Sequence, residues 1–396
     1  MMLMNLALFT ALSTRILCAH AFAQPAEVTI GTSTALTGPA AGLGLGMRAG
    51  MEAALSAHNT ANPKTVTIRL LSLDDGYEPA RTAPNMRQLI EQDRVVAIVG
   101  NVGTPTAVSA LPIAVETGTL FIGAFTGAGI LRQTPAEHVV INFRASYAQE
   151  ISAMIDGLID HAGIKPTEVA LFTQRDAFGD SGYQGALKAL HHRGLSPAAT
   201  VPHGRYDRNT TAVENGLADI LDSSVEPRAI IMVGTAPPCA AFVKAARGIG
   251  YKGKFLAVSF IGAGTFAAEA GEAGDNVIIT QVVPHPQSDL PLAAEFRDAA
   301  QKAGFAPDFV AFEGFVVGRI VSLGVRNTTG SVTPDRLIDG LEALGTFDIG
   351  LGHALTFSAA DHQACDQVWP TIVRRGEVVP FEWKELAETT AAAEME

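Results

Sequence analysis

The stretch Val95-Val96-Ala97-Ile98-Val99-Gly100-Asn101-Val102-Gly103-Thr104-Pro105-Thr106-Ala107 decides the architecture. Its unbroken apolar, mostly β-branched opening reads as a strand buried on both faces. Glycines then turn the chain. Pro105 suits the first helical position and Thr104 suits the cap before it. A buried strand that turns directly into a capped helix is half of a βαβ unit, the building block of parallel sheets. The next strand, Leu120-Phe121-Ile122, ends in a similar loop, Gly123-Ala124-Phe125-Thr126-Gly127.

The alternation extends outward in both directions. Upstream, strands are expected at 28–31 and 66–73 and helices at 47–58 and 80–92, with a helix at 106–116 beyond the central strand. Downstream, a second series begins with a strand at 139–143, a helix at 148–161, a strand at 169–172 and a helix at 183–192. It continues with a strand at 229–233, a helix at 240–249 and strands at 255–258 and 277–280. The tail changes character: tandem helices at 291–303, 310–325 and 334–344, then an antiparallel hairpin of 368–373 and 378–381 around Arg375-Gly376. Two α/β series predict two doubly wound parallel-sheet lobes.

Composition agrees. The chain has 396 residues, 47% hydrophobic and 17% charged, enough apolar material for two cores and too much for a disordered chain. Lys and Arg number 28 against 40 Asp and Glu, a net charge of −12, which argues against nucleic acid as a partner. Leu6 to Leu12 is apolar and Ala21-Phe22-Ala23 has the small-x-small pattern of signal-peptidase cleavage, so residues 1–23 read as a signal peptide and Gln24 as the first mature residue. Arg15-Ile16-Leu17 before Cys18 lacks the small residues of a lipidation site. Cys239 and Cys365 remain in the mature chain, either bridged or as two separate buried thiols.

Several motifs dissolve on inspection. Gly44-Leu45-Gly46-Met47-Arg48-Ala49 matches a dinucleotide fingerprint, but Gly44 lies 13 residues past Gly31 and Asp74 lies 30 past Gly44, where about 20 is needed. Those glycines are expected to form a loop leading into a helix. Gly179-Asp180-Ser181-Gly182 reads as a turn before a helix, with no elbow or His-Asp partner to make Ser181 a nucleophile. His191-His192 and His362-x-x-Cys365 do not make a metal site. Asn209-Thr210-Thr211 reads as a helix N-cap and Asn327-Thr328-Thr329 as a loop. No cofactor, metal or catalytic group is expected. The informative positions lie where strands end: the Gly100–Ala107 and Gly123–Gly127 loops offer backbone N–H groups, the Thr104 and Thr126 hydroxyls and the Phe125 ring to a small anionic ligand.

These features, together with Thr37-Gly38-Pro39-Ala40-Ala41, Asp74-Asp75-Gly76-Tyr77-Glu78-Pro79, Asn142-Phe143-Arg144-Ala145-Ser146-Tyr147, Phe178-Gly179 and Val258-Ser259-Phe260-Ile261-Gly262, resemble the type I periplasmic solute-binding proteins. The resemblance is to the leucine/isoleucine/valine-binding branch that serves ABC importers, and it runs over residues 26–383. It implies two lobes joined by three crossovers, near 142–146, 280–286 and 348–354, that close on a ligand by hinge motion. Lobe one would be 26–143 plus 284–350, and lobe two 144–283 plus 351–386, with 387–396 a disordered tail.

The resemblance places Thr104 and Thr126 at the ligand carboxylate and Phe125 beside them. Leu43 and Phe178 fall where the leucine binders have tyrosines, and Ser146, Thr235, Ser259 and Phe260 also face the cleft. It implies a periplasmic monomer that hands its solute to an inner-membrane permease and is not an enzyme. The alternative is a ligand sensor for a chemoreceptor or kinase. Two departures stand out. Ser259-Phe260 occupies the place of the acidic residue that pairs with a ligand ammonium, so the ligand is an amino acid with another acidic partner, Asp180 or Glu313, or an amine-free aromatic or aliphatic acid. The disulfide of the leucine binders is replaced at both ends, by Tyr77 and Gly103.

Overall fold

In the computed structural model, residues 27–62 and 65–387 are described; the expected signal peptide, Cys18 and nearly all of the acidic tail lie outside them. The first lobe opens with β1 (Glu27–Thr34), α1 (Ala41–Ala61), β2 (Thr67–Asp74), α2 (Pro79–Arg87), β3 (Ala97–Val99), α3 (Thr104–Thr117), β4 (Leu120–Ile122) and β5 (Val140–Ile141). These strands form one sheet, parallel throughout, in the order β2-β1-β3-β4-β5. β3 and β4 are wholly buried, as a parallel sheet covered by helices on both faces requires.

The chain then crosses to build α4 (Tyr147–Ala162), β6 (Val169–Gln174), α5 (Ala177–His192), β7 (His203–Tyr206), α6 (Glu214–Leu221), β8 (Ala229–Val233), α7 (Ala236–Gly248), β9 (Lys254–Ala257), α8 (Ala263–Ala270) and β10 (Ile278–Gln281). It returns with α9 (Pro291–Ala303), α10 (Phe309–Asn327) and α11 (Pro334–Glu342), and α10 packs along α1 of the first lobe. After a small ladder of β11 (Thr346–Phe347) and β12 (Leu355–Thr356), it ends with β13 (Trp369–Arg374) and β14 (Glu377–Pro380). The second sheet runs β14-β13-β10-β9-β8-β6-β7, with β13 and β14 antiparallel at one edge. The two sheets are the doubly wound pair predicted from the alternation.

Between β12 and β13 the chain runs beside β5: Asn142 N–H donates to the His362 carbonyl at 2.8 Å, and Ala364 N–H donates back to the Asn142 carbonyl at 3.0 Å. Two stretches of chain therefore lie side by side where the chain passes from one sheet to the other.

Four local expectations are corrected. The glycines at 42, 44 and 46 lie inside α1 instead of forming a loop. Two of them are there for close packing: a Cβ on Gly44 would stand 1.9 Å from the Ala35 carbonyl oxygen, and one on Gly46 would stand 2.9 Å from Val310 of α10. Gly103, not Thr104, caps α3, at a φ of 103° that favours glycine, and Thr104 is drawn into another bond. Gly179 and Gly182 belong to α5, which Asp176 caps by accepting from Phe178 N–H at 3.0 Å. Asn209 caps nothing; it sits in the left-handed region, with φ 60°, and its amide reaches the other lobe. The pattern also missed β7, α6 and α8, each short. Cys239 and Cys365 are free, buried thiols. No helix among the described residues is long and apolar enough to cross a membrane.

Candidate functional site

In each sheet the strand order reverses once, beside β1 in the first and β6 in the second, which opens a crevice beyond the C-terminal strand ends. The residues that meet between the lobes come from the loops that follow those ends. Tyr77 follows β2, Thr104 opens the helix after β3, and Phe125 and Thr126 follow β4. From the other side, Phe178 follows β6, Thr235 follows β8, and Ser259 and Phe260 follow β9.

Four rings gather around Phe260. Its centroid lies 4.6 Å from Phe178, 5.3 Å from Phe125, 6.0 Å from Tyr77 and 6.5 Å from Tyr147. All five side chains are buried, so aromatic surface from both lobes is sealed together. Thr104 and Thr126 share a hydroxyl–hydroxyl bond of 2.7 Å at the first-lobe wall. The Tyr147 hydroxyl is buried beside Thr126.

A polar chain runs through the cleft. The Gln174 amide donates to the Tyr77 hydroxyl at 3.1 Å, the Tyr206 hydroxyl donates to Gln174 Oε1 at 3.0 Å, and Thr235 N–H donates to the Tyr206 hydroxyl at 3.1 Å. Tyr77 also occupies the space beside Gly103: a Cβ there would stand 2.1 Å from its ring. Tyr77 and Gly103, the positions where the resemblance led to the expectation of a missing disulfide, are therefore neighbours.

The sequence-predicted residues do not all join this cluster. Ser146 is spent on local structure: its hydroxyl caps α4 in a reciprocal box with Gln149. Thr235 reaches the cleft through Tyr206. Leu43, in α1, leans on the second lobe at Gly262, where a Cβ would meet its methyl at 2.9 Å. Of the two candidate acids, Asp180 faces outward, 2.6 Å from Arg205 and largely exposed, while Glu313 is buried beside the first crossover.

Ser259 has an unforeseen partner. Its N–H and hydroxyl donate to Glu150 at 2.8 and 3.0 Å, and Thr280 donates to the same carboxylate at 2.7 Å. Arg144 completes the set, bonding Glu150 at 3.1 Å and Ser259 through the same nitrogen. The acid near Ser259 thus comes from α4, whose buried face carries Tyr147, Glu150, Ile151 and Met154 at helical spacing.

Arg144 lies 3.5 Å from Glu313 and stacks its guanidinium over the Phe125 ring at 4.9 Å. Its Nε and Nη1 make no hydrogen bond although both are buried. Burial works against its charge, but Glu313 and Glu150 outweigh it and the guanidinium stays charged. Burial pushes the Glu313 carboxyl up to about 7 against the pull of Arg144. Burial, with help from Arg144, brings Arg132 down to about 9; Arg132 donates to Gln363 and to the Ala128 and Arg144 carbonyls.

Arg144, Tyr147 and Glu150 were missing from the sequence-level site. A lone acid on an apolar helix face was the available signal, for Glu150 in α4 and for Glu313 in the Phe309–Phe315 run of α10. Among the described residues, no group of three or more His, Cys, Asp or Glu side chains is placed to hold a metal ion.

The architecture and the cleft define a two-lobed ligand-binding protein, and comparison with known proteins places it. The periplasmic binding protein family model matches residues 27–377, so the chain belongs to that family, in its type I, leucine/isoleucine/valine-binding branch. A possible leucine/isoleucine/valine-binding protein from Rhodopirellula baltica superposes with a TM-score of 0.89 at 46% identity, over 92% of this chain and 98% of that one. The Leu/Ile/Val-binding protein homolog 2 of Brucella abortus is 22% identical over 83% of this chain and 85% of its own. The Leu/Ile/Val-binding protein homolog 3 of Brucella melitensis is 29% identical, but the match spans 48% of this chain and about half, 51%, of that relative.

Proposed function

We propose that the protein captures a small carboxylate-bearing solute between its lobes in the periplasm and delivers it to the inner-membrane permease of an ABC importer. The observation that carries this reading is the ring and hydroxyl cluster built from strand-end loops of both sheets, with Phe260 of one lobe set against Phe125 and Tyr77 of the other. A site divided between two lobes forms only when they close, so closure and binding are one event. The lobes meet again at the cleft mouth, where Arg208 and Asn209 grip Glu78 at 2.8 and 2.6 Å. The chain crossings near 142–146, at 282–290 and after β12 are the hinge. Leu43, Thr104, Phe125, Thr126, Phe178, Ser259 and Phe260 are the proposed ligand contacts.

The test uses protein unfolded and refolded to remove carried solute. A true ligand at a thousand times its dissociation constant should add about 4 kcal/mol. That raises the melting temperature by on the order of 8 °C. Solution scattering should show the radius of gyration fall on binding. A panel of amino acids, organic acids, sugars and polyamines that leaves both melting temperature and radius unchanged would defeat the reading.

A further inference from the structure

We propose that Arg144 receives the carboxylate of an amine-free organic acid, whose hydrocarbon part lies against the rings of Tyr77, Phe125, Phe178 and Phe260. This deepens the capture reading and rests on it.

Three observations converge. First, Arg144 is buried, yet its Nε has no hydrogen-bond acceptor and its Nη1 reaches only the Glu313 carboxylate, at 3.5 Å, with the Tyr147 ring beside it. Buried donors without acceptors are costly, and a carboxylate supplies acceptors to several at once. Second, neither carboxylate beside Arg144 is free to take a ligand ammonium. Glu150 already accepts from Arg144, from the N–H and hydroxyl of Ser259, and from Thr280. Glu313 lies in the field of two guanidinium groups, Arg144 and Arg132, which would repel an ammonium placed against it. Third, Arg144 stacks over Phe125, the ring that touches Phe260, so charge recognition and the apolar wall share one edge of the cleft.

The charge balance makes a second demand. Arg132 and Arg144 are matched by Glu150 and Glu313, so an entering carboxylate would make the cluster net negative. The groups facing Glu313 are Arg144, Arg132, Glu150 and the Cys365 thiol, which burial keeps neutral. Glu313 is the member that can give up its charge, so binding takes up a proton on it. Affinity for the acid then falls toward tenfold per pH unit above about 7.

The experiment compares leucine and phenylalanine with their deamino forms, and benzoate with benzamide, by titration calorimetry at pH 6 and pH 8 on refolded protein. Solute carried from the cell is extracted from undenatured stock and identified by mass. The deamino acids or benzoate should bind and the matched amino acids and benzamide should not, with proton uptake seen in buffers of different ionisation enthalpy. Arg144→Lys keeps a charge beside Glu150 and should lose at least tenfold in affinity. Should that variant not fold, Glu313→Gln carries the test: it should flatten the pH dependence. Tighter binding of an amino acid, or an amino acid in the extract, overturns the assignment and leaves capture standing. So does binding of a solute without a carboxylate. A protein that no solute stabilises overturns both.

Discussion

Glu150 is a carboxylate with four donors and almost no exposure, and its neighbours depend on it unequally. Ser259 loses two hydrogen bonds and Thr280 one if it goes; Arg144 loses its shortest counter-charge contact. Glu150→Ala should therefore cost about 3–5 kcal/mol, the penalty of stranding a buried charge. Denaturant titration would show it as a lower midpoint at unchanged slope. Glu313 behaves differently, because its folded carboxyl titrates at about 7 and its unfolded one near the ordinary value of 4.5. The folded state holds this proton more tightly. Its contribution is complete below pH 4.5 and is lost as pH rises through 7, a change of about 3 kcal/mol. Glu313→Gln should remove that slope, so a mutant whose stability still falls between pH 5 and 7 as steeply as the wild type would contradict it. Asp74 acts in the opposite sense. Hydrogen bonds from Thr37, Leu36, Arg81 and Gly76 outweigh its burial and hold its carboxyl well below the usual range.

At the scale of elements, α1 and α10 form the tightest pair. A Cβ on Gly50 meets the Ala311 carbonyl oxygen at 1.8 Å, and one on Gly314 meets the Met47 carbonyl oxygen at 2.3 Å. Backbone cannot yield as a flexible side chain can, so Gly50→Ala must force the helices apart. A cost of about 3 kcal/mol is expected, at the upper end for overpacking. Gly264 in α8 is the control, with nothing within 4 Å of its added Cβ and a φ outside the left-handed range. Gly264→Ala should stabilise by about 0.5–1 kcal/mol through helix propensity alone. Thermal unfolding of the two variants should move in opposite directions. The glycine count of the 41–50 segment was plain in the sequence, but its meaning was not. A glycine that bends a loop and one that admits a neighbouring helix look alike until the neighbour is known, and α10 lies some 260 residues away.

For the whole molecule, the proposed function sets an equilibrium between open and closed lobes. Arg208 joins Glu78 of the first lobe to Asp176 of the second, at 2.8 and 3.0 Å, and Asn209 adds its amide. These groups are partly exposed, so each pair contributes at most about 1 kcal/mol. Glu78→Ala should accordingly weaken solute binding by less than about tenfold, through faster release and not slower capture. Stopped-flow rates would separate the two. A loss of a hundredfold or more would mean that Glu78 touches the solute.

Much of this organisation follows from local chemistry. Apolar runs such as Val95 to Val99 can only be sheet interior, and the strand–turn–helix rhythm admits few topologies, so two parallel-sheet lobes were legible from the chain. The convergence of strand ends was legible too: Phe125, Thr126, Ser259 and Phe260 follow strands and Thr104 and Phe178 open the helices after them, and that these residues hold the solute is the proposal. The pairing of charges was not legible. Arg144, Glu150 and Glu313 come from the segment before α4, the first turn of α4 and the second turn of α10. Nothing in a one-dimensional pattern states which buried charges meet, or that Ser259 leaves its acid to another helix. Long-range electrostatics is decided by where the lobes place their side chains, and only the tertiary structure brings those three residues to one point in the hinge.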